Sequence, residues 1–320
     1  MSLVLRRFAA LSLTLLAACA TAPPHHSHDL FAAAASGDME EFGRLLAAGS
    51  DVNARDDDGK SPLYFAAKSG HAEAAEILLA RGAQVDAPMK GGYTPLFASA
   101  AEGHLSATKL LLDHGANVNA RDVNGATPLF WTLYRMTSAY ILSASSPAAL
   151  ARQQAMGYAA LQRQREALGP GPHHWHEVAM LLLDHGAQVN VAVRGDTQLY
   201  FSSTVGDTML TEALLKRGEN IDGSSAAGET PLHTAIAERH ANVAELLVEN
   251  GASETAVNRS DRTPLHFLAA YMDDPKLAEL MIRHGANVNA RDKSGATPLT
   301  FALRAGNQRT AEVLRAHGGS

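Results

Sequence analysis

The chain is poor in cysteine, since Cys19 is the only one among its 320 residues. A single thiol cannot form a disulfide within the chain, so internal covalent cross-links do not contribute to the fold. Long apolar runs are also missing, because the apolar stretch at residues 8–16 is too short to span a bilayer as a helix of the mature protein. We therefore expect no internal disulfide and no transmembrane helix in the mature chain.

Positive charge is scarce as well. The sequence has 27 lysine and arginine residues against 33 aspartate and glutamate residues, and its formal net charge is −6. An acidic surface repels nucleic acid and anionic lipid. The sequence has no basic stripe and no platform in which aromatic and basic residues alternate. We therefore expect no nucleic acid among the partners.

Catalytic motifs are a third absence. The sequence contains no Gly-x-Ser-x-Gly nucleophile elbow, no phosphate-binding loop and no His-Glu-x-x-His zinc motif. The carboxylate pairs Asp57/Asp58 and Asp273/Asp274 are expected in exposed turns, where a carboxyl group lacks the burial that would poise it for general acid catalysis. The sequence thus predicts a protein that is not an enzyme and that needs no cofactor.

The amino terminus does contain one specific pattern: Arg6 and Arg7, then the apolar stretch, then Leu-Ala-Ala-Cys at residues 16–19. This arrangement resembles bacterial lipoprotein signals, in which the chain is cut before the cysteine and the new amino terminus is lipidated. The resemblance implies a signal peptide over residues 1–18 and lipid attachment, such as palmitate, at Cys19. An ordinary signal peptide or an uncleaved anchor is the alternative.

The residues after Cys19 bear on its final location. The residue after Cys19 is Ala20. In lipoproteins of this kind, an aspartate at that position usually holds the protein at the inner membrane. The resemblance therefore implies that this protein is attached to the outer membrane and faces the periplasm. Cleavage would remove Arg6 and Arg7 and no acidic residue, which leaves 25 basic against 33 acidic residues and a net charge of −8. Residues 19–29 lack apolar periodicity, so we expect a mobile tether, attached to the membrane by acyl chains alone.

An internal repeat of about 33 residues occupies the rest of the chain. Its marker is Ser/Thr-Pro-Leu, whose proline position falls at Pro62, Pro95, Pro128, Gln198, Pro231, Pro264 and Pro298. A glycine that ends an apolar run follows twenty residues later, as at Gly82, Gly115, Gly218 and Gly251. Serine or threonine can cap a first helix, proline is tolerated in its first turn, and the glycine can end a second helix.

The pattern resembles ankyrin repeats, whose period is about 33 residues and whose marker is Thr-Pro-Leu-His-x-Ala. The resemblance implies an all-α repeat solenoid of about eight repeats over residues 30–320. Each unit would be a helix-turn-helix followed by a β-turn finger, such as Val-Asn-Ala at residues 118–120 and 288–290. No unit can bury its apolar face alone, so the core is expected to be a stack of neighbours without a second independent domain.

The fourth repeat departs from this period. From Pro128 to Gly186 there are 58 residues instead of 20, so 38 residues are inserted, at about residues 137–174 between the paired helices. Ser146 and Pro147 predict the start of a helix and the Gly-Pro-Gly-Pro run at residues 169–172 its end. This helical insertion is either a surface helix packed on the array or a recognition arm for an acidic or apolar partner surface.

Histidine is the residue type that most invites a metal hypothesis. Nine of the fifteen histidines fall at repeated positions and are interpreted as scaffold. The other six form two groups, residues 25–28 and His173, His174 and His176. Imidazoles so close together can bind Zn²⁺, Cu²⁺ or Ni²⁺, and a metal-dependent enzyme that uses the second group is a remote alternative function. Both groups border proline-rich segments, which disfavours a rigid structural site.

Protein binding remains the main functional prediction. The resemblance implies recognition through finger tips and first helices, and tyrosine and arginine often dominate interface energetics. Our candidates for partner contacts are Tyr93, Tyr134, Arg135, Arg262 and Tyr271. The predicted function is a lipid-anchored periplasmic scaffold that holds or protects an envelope protein through the fingers, the concave face and the inserted arm. The alternative is an immunity or inhibitor protein that occludes a toxin delivered into the periplasm.

Overall fold

The computed structural model describes residues 26–142, 174–193 and 195–320, which form sixteen α-helices. The helices pair into eight units. The first four contain α1 (His26–Ser36) and α2 (Met39–Ala47), α3 (Pro62–Ser69) and α4 (Ala72–Ala80), α5 (Pro95–Ala101) and α6 (Leu105–Asp113), and α7 (Pro128–Leu142) and α8 (Trp175–Asp184). The last four contain α9 (Gln198–Val205) and α10 (Thr208–Lys216), α11 (Pro231–Ala237) and α12 (Ala241–Glu249), α13 (Pro264–Tyr271) and α14 (Pro275–Arg283), and α15 (Pro298–Ala305) and α16 (Gln308–Ala316).

The first helix of a unit begins where its sequence marker predicts. Ser61 has an extended backbone and its hydroxyl accepts a hydrogen bond from the amide of Tyr64, while Pro62 occupies the first turn. The same cap recurs at Thr197. Gly70 ends α3 with φ of 76°, and a Cβ there would lie 2.7 Å from the ring of His104 in the next unit. Glycine is therefore required both by the left-handed backbone and by the close approach of the neighbour.

The core is a row of equivalent side chains. First helices pack on the first helices of neighbouring units and second helices on second helices. The leucine after the proline position is buried in each of the seven units that have this position, at Leu63, Leu96, Leu129, Leu199, Leu232, Leu265 and Leu299. Stacking of neighbours removes this apolar surface from water, which no single unit can do. The predicted all-α repeat solenoid is confirmed.

Fingers join the units through hydrogen bonds of asparagine side chains. Asn53 donates from Nδ2 to the carbonyl of Gly82 and accepts from the amide of Gln84 in the next finger. Asn119, Asn190 and Asn289 make the equivalent pair of bonds. The asparagine of Val-Asn-Ala thus satisfies backbone groups of the next repeat, so it ties each finger to its neighbour.

The first helix of the fourth repeat continues into the predicted insertion. Helix α7 runs without interruption to Leu142, for 15 residues, whereas the other first helices that follow a proline have seven or eight. Thr137 is buried and its hydroxyl donates to the carbonyl of Phe201, 3.4 Å away, so packing on the fifth repeat continues the helix. Residues 137–142, at the start of the predicted insertion, therefore extend the first helix. The predicted helix between Ser146 and residue 169 lies outside the described residues.

The predicted tether is also shorter than expected. Helix α1 begins at His26, inside the 19–29 stretch that we expected to be mobile, because Leu30 and Phe31 are buried against the second repeat and stabilise the preceding turn. The predicted signal peptide and Cys19 lie outside the described residues. Within the described part of the chain, no helix has the length and apolar character needed to cross a membrane.

Candidate functional site

The inner face, formed by the first helices and the fingers, carries a chain of aromatic rings in its middle third. Tyr93 and Trp131 have ring centroids 5.9 Å apart, Trp131 and Tyr134 5.4 Å, and Tyr134 and Phe201 6.1 Å. We call these four residues of the third to fifth repeats the aromatic cluster. Its rings meet at angles of 60° to 82°, the tilted and edge-to-face geometry that aromatic pairs prefer.

A buried aspartate fixes the centre of this cluster. Asp122 accepts from the amides of Asn124 and Ala126 with Oδ1, and from the indole Nε1 of Trp131 with Oδ2 at 3.0 Å. The finger of the fourth repeat therefore holds the Trp131 ring in place. Tyr134, one helical turn further, is 45 % exposed, and Val123 at the tip of the same finger is 77 % exposed. The cluster is thus rigid at its base and accessible at its edge.

Two pockets lie on either side of Trp131. The Arg135 pocket, about 210 Å³, is lined by Tyr64, Lys68, Tyr93, Phe97, Ala98, Ala101, Glu102, Trp131 and Arg135. The Asp196 pocket, about 190 Å³, is lined by Asp122, Asn124, Ala126, Phe130, Trp131, Tyr134, Val193 and Asp196. Mostly apolar walls with a few charged groups are typical of binding pockets.

The Arg135 pocket contains its own ion pair. Arg135 donates from Nη2 to Oε2 of Glu102 at 2.6 Å, and both side chains are about three-quarters buried. Burial raises the pKa of Tyr64, and burial together with Asp122 raises the pKa of Tyr93. Both phenols therefore stay protonated at neutral pH, and the Tyr93 hydroxyl is hydrogen-bonded to Asp122 within the protein.

The Asp196 pocket has a different charge balance. Asp196 and Val193 form an antiparallel bridge with two backbone hydrogen bonds of 3.1 Å, which places the Asp196 side chain at the rim of the fifth repeat. Burial raises the pKa of Asp196. No lysine or arginine among the described residues forms an ion pair with Asp196.

The structure brings three of the five predicted contact residues together. Tyr93, Tyr134 and Arg135 surround Trp131, whereas Arg262 and Tyr271 lie in the seventh repeat. Arg262 donates from Nε to Oδ2 of the buried Asp292 at 3.1 Å, and its guanidinium lies 4.8 Å from the centroid of Phe301. It therefore contributes to the contact between two repeats. Tyr271 is 43 % exposed and packs against Phe267, so it remains a candidate for partner contacts.

Sequence reasoning missed Trp131, the centre of the cluster. The signal was present in the repeat register, because the third residue after the proline position is Phe65, Ala98, Trp131, Phe201, Thr234, Phe267 or Phe301 in successive units. Tryptophan occurs there once. The residue before it is aromatic in the second to fifth repeats and histidine in the sixth and seventh. Comparing equivalent positions across units would have located the site.

The repeated histidines serve the scaffold, as predicted. Nε2 of His71, His104 and His240 lies 2.9–3.1 Å from a carbonyl of the preceding repeat. Nδ1 of His114, His185 and His317 contacts the carbonyl four residues earlier. These rings therefore satisfy backbone groups between and within units.

The second histidine group is partly scaffold too. His174 precedes α8 at the place that His71 and His104 hold before their helices, a correspondence that the insertion had hidden. His176 lies 2.5 Å from Oδ2 of Asp207, whose Oδ1 caps α10. Within the described ranges, no group of three potential metal ligands is present. His173 lies outside them, so a site made by all three histidines stays a prediction.

Comparison with known proteins shows which family has this repeat. The family model described as ankyrin repeats (3 copies) matches residues 30–122, 173–258 and 253–320. Ankyrin repeat and SOCS box protein 11 of Danio rerio is 37 % identical over 86 residues, and the probable 26S proteasome regulatory subunit p28 of Saccharomyces cerevisiae is 32 % identical over 119 residues. These matches cover 27 % and 33 % of this chain, and 29 % and 52 % of those proteins.

A solved structure extends the similarity over most of the chain. The ankyrin repeat domain of human ASB11 superimposes with a TM-score of 0.57 and 25 % identity, and it covers 82 % of this chain and 99 % of that domain. Between them, the family matches leave out residues 123–172, which include the whole of α7 and the insertion. The feature that distinguishes this chain from the general repeat pattern therefore adjoins the aromatic cluster.

Proposed function

Because the chain belongs to the ankyrin repeat family, we propose that it is a lipid-anchored scaffold of the bacterial envelope that binds a protein through the aromatic cluster of its third to fifth repeats. Ankyrin repeats support a role in protein–protein interaction. Within that role, the observation that carries the proposal is the partly exposed cluster of Tyr93, Trp131 and Tyr134 between two pockets.

Protein binding is supported physically because one part of the aromatic cluster is held in place and another part is exposed. Tyrosine and tryptophan offer large apolar area and lose little side-chain entropy on binding, so they are enriched at protein interfaces. Asp122 holds Trp131 before any partner arrives, which lowers the ordering cost further. The exposed Val123 beside it extends the apolar surface to the finger tip.

The location rests on the amino-terminal sequence. Leu16, Ala17, Ala18 and Cys19 match the lipoprotein pattern, and Ala20 favours the outer membrane over the inner one. A lipid on Cys19 would hold the scaffold at the periplasmic side. We expect Cys19→Ser to move the protein from the membrane fraction to the soluble fraction while its helical content is unchanged. Retention of the variant in membranes after an alkaline wash would contradict the anchor.

The binding surface is tested by a matched pair of tyrosines. Tyr134 is 45 % exposed in the cluster, and Tyr271 is 43 % exposed in the seventh repeat. We expect Tyr134→Ala to weaken capture of the partner from detergent-extracted envelopes about tenfold or more, because interface aromatics of this kind dominate affinity. Tyr271→Ala should have little effect. The reverse result would move the interface to the seventh repeat.

The identity of the captured protein then separates two roles. An endogenous envelope protein, captured in stoichiometric amount, supports the role of holding or protecting a partner. A toxin that enters the periplasm would instead support the immunity or inhibitor role, in which the same surface occludes the toxin.

A further inference from the structure

We propose that the Asp196 pocket binds a cationic side chain, arginine or lysine, of the partner protein, with Asp196 supplying the opposite charge and Trp131 and Tyr134 the aromatic walls. This inference rests on the proposed function and deepens it, because it names the chemistry of one partner residue. It concerns a pocket between the fourth and fifth repeats that the predicted contact residues reach only through Tyr134.

The charge of the pocket favours a cation. Its lining contains two carboxylates, Asp122 and Asp196, and no lysine or arginine among the described residues. Asp122 is already occupied by two amides and the indole of Trp131. Asp196 is the carboxylate whose burial is not offset by an ion pair within the described part of the chain, and burial raises its pKa. An arriving cation would offset the burial of the Asp196 carboxylate.

The walls and size fit the same ligand. Trp131 and Tyr134 line the pocket with Phe130, and tryptophan and tyrosine faces attract ammonium and guanidinium groups. A volume of about 190 Å³ is several times the roughly 30 Å³ that one water molecule occupies, so a long side chain can enter. The apolar stem of arginine or lysine would pack on Val193 and Phe130 while the charged end meets Asp196.

The molecule itself contains two completed versions of this arrangement. In the Arg135 pocket, Arg135 is paired with Glu102 beside Tyr64, Tyr93 and Trp131. In the seventh repeat, Arg262 is paired with Asp292 and lies over Phe301. Each combines a carboxylate, an arginine and aromatic rings. The Asp196 pocket has the carboxylate and the rings, and the partner would supply the cation.

The test uses the full-length protein, extracted in detergent and labelled with 5-fluorotryptophan. Its two tryptophans give two fluorine NMR signals, of which Trp131 reports on the pocket. Trp175 is buried and bonded to the carbonyl of Ala101, so its signal is an internal reference. The signals are assigned with Trp131→Phe. The probes are acetyl-arginine amide, acetyl-lysine amide and acetyl-citrulline amide, the last being an uncharged analogue of arginine.

We expect arginine amide or lysine amide to shift the Trp131 signal saturably, with a dissociation constant on the order of millimolar for one side chain. Citrulline amide should bind about tenfold more weakly, because it has the shape and lacks the charge. Asp196→Asn should weaken binding of the cation to the same extent. Asp57→Asn, a charge change in an exposed finger of the second repeat, should leave it unchanged. The stronger of the two cationic probes identifies the partner side chain.

Three results would overturn the inference: equal binding of citrulline and arginine amides, unchanged binding in Asp196→Asn, or no saturable shift of Trp131. These outcomes are separable from failure of the proposed function. If partner capture depends on Tyr134 and the cationic probes do not bind, the interface stands and the cation assignment is wrong. If the probes bind and capture is unaffected by Tyr134→Ala, the pocket is a cation site outside the partner interface.

Discussion

The third to fifth repeats and the sixth and seventh use the same sequence position in opposite ways. In the latter, His233 and His266 follow Pro-Leu, are fully buried, and bond to the carbonyls of Arg262 and Ala296 in the next repeat. In the former, Phe97, Phe130 and Tyr200 occupy that position and pack ring against ring. Histidine uses the position for a polar bond to the next repeat, whereas the buried Phe97 and Phe130 pack against Tyr93 and Phe201 and so support the aromatic cluster from below.

The geometry of His233 shows what such a histidine contributes. Its Nδ1 accepts from the amide of Thr230, so Nε2 carries the proton and donates to the carbonyl of Arg262 at 3.0 Å. Burial lowers the pKa of His233 to about 4. The ring is therefore neutral in the folded protein at physiological pH and satisfies two backbone groups at once.

The largest effect that can test this comparison is the loss of such a histidine. His233→Leu leaves the buried amide of Thr230 without a partner and removes one of the two hydrogen bonds to the carbonyl of Arg262, which keeps the amide of Asn258. We therefore expect it to lower the free energy of unfolding by about 3 kcal/mol in urea denaturation. The matched control is His114→Leu, an exposed histidine that bonds only within its own helix and should change stability by about 0.5 kcal/mol or less. Equal losses of unfolding free energy in the two variants would contradict a role of His233 in joining neighbouring repeats.

A second test concerns the fifth repeat, where the two regions meet. Glu219 stands where other repeats have alanine, such as Ala116 and Ala252, and Gln198 stands in place of proline. Oε1 of Glu219 accepts from the amide of Leu199 at 2.9 Å, while Oε2 has no hydrogen-bond partner among the described residues. Burial raises the pKa of Glu219 from 4.5 to about 7.

This shift predicts a pH dependence of defined sign. The folded state keeps the Glu219 proton over a range in which the unfolded state releases it, so stability falls as pH rises from 4.5 to 7 and is constant above. The group should account for about 3 kcal/mol over that window. Glu219→Gln removes this contribution. The difference in unfolding free energy between wild type and variant, measured across pH, isolates it from the histidines, whose burial acts in the opposite direction. A difference independent of pH would contradict the shift.

The smallest expected effect is the most specific to the aromatic region. Ionised Asp196 is partly buried without an ion pair among the described residues, so Asp196→Asn should increase the unfolding free energy at neutral pH by about 0.5 kcal/mol. Substitution of Asp292, whose pKa is lowered to about 2 by Ser294 and Arg262, should reduce stability instead. Opposite signs would distinguish Asp196, whose burial lowers stability, from Asp292, which stabilises the contact between the seventh and eighth repeats.

Much of the fold follows from local chemistry that can be recognised in the sequence. Proline and glycine mark helix ends because their backbone preferences operate within one turn, and the 33-residue period then fixes the stack. The end of α7 could not be predicted in this way. Residues 137–142 were assigned to the insertion by length alone, whereas contacts of Thr137 and Tyr140 with later repeats continue the helix.

The site was predicted only in part for a related reason. Tyr93, Tyr134 and Arg135 were chosen individually by residue type and position in the repeat, and the structure shows that they share Trp131 as a neighbour. The pairing of Arg135 with Glu102 and of Trp131 with Asp122 depends on the distance between neighbouring repeats and on side-chain direction. Residue type and period do not define these quantities.

The extension of α7 has a mechanical consequence. In an array whose units touch only their neighbours, repeats detach singly from a free end. The Tyr140 hydroxyl lies 3.2 Å from Nε2 of His240, two repeats along, and Thr137 binds the intervening repeat. The fourth to sixth repeats are therefore fastened as one block. Under a load applied at the carboxyl terminus, the eighth and seventh repeats should release one after the other, and the next step in the force–extension trace should have the length of several repeats.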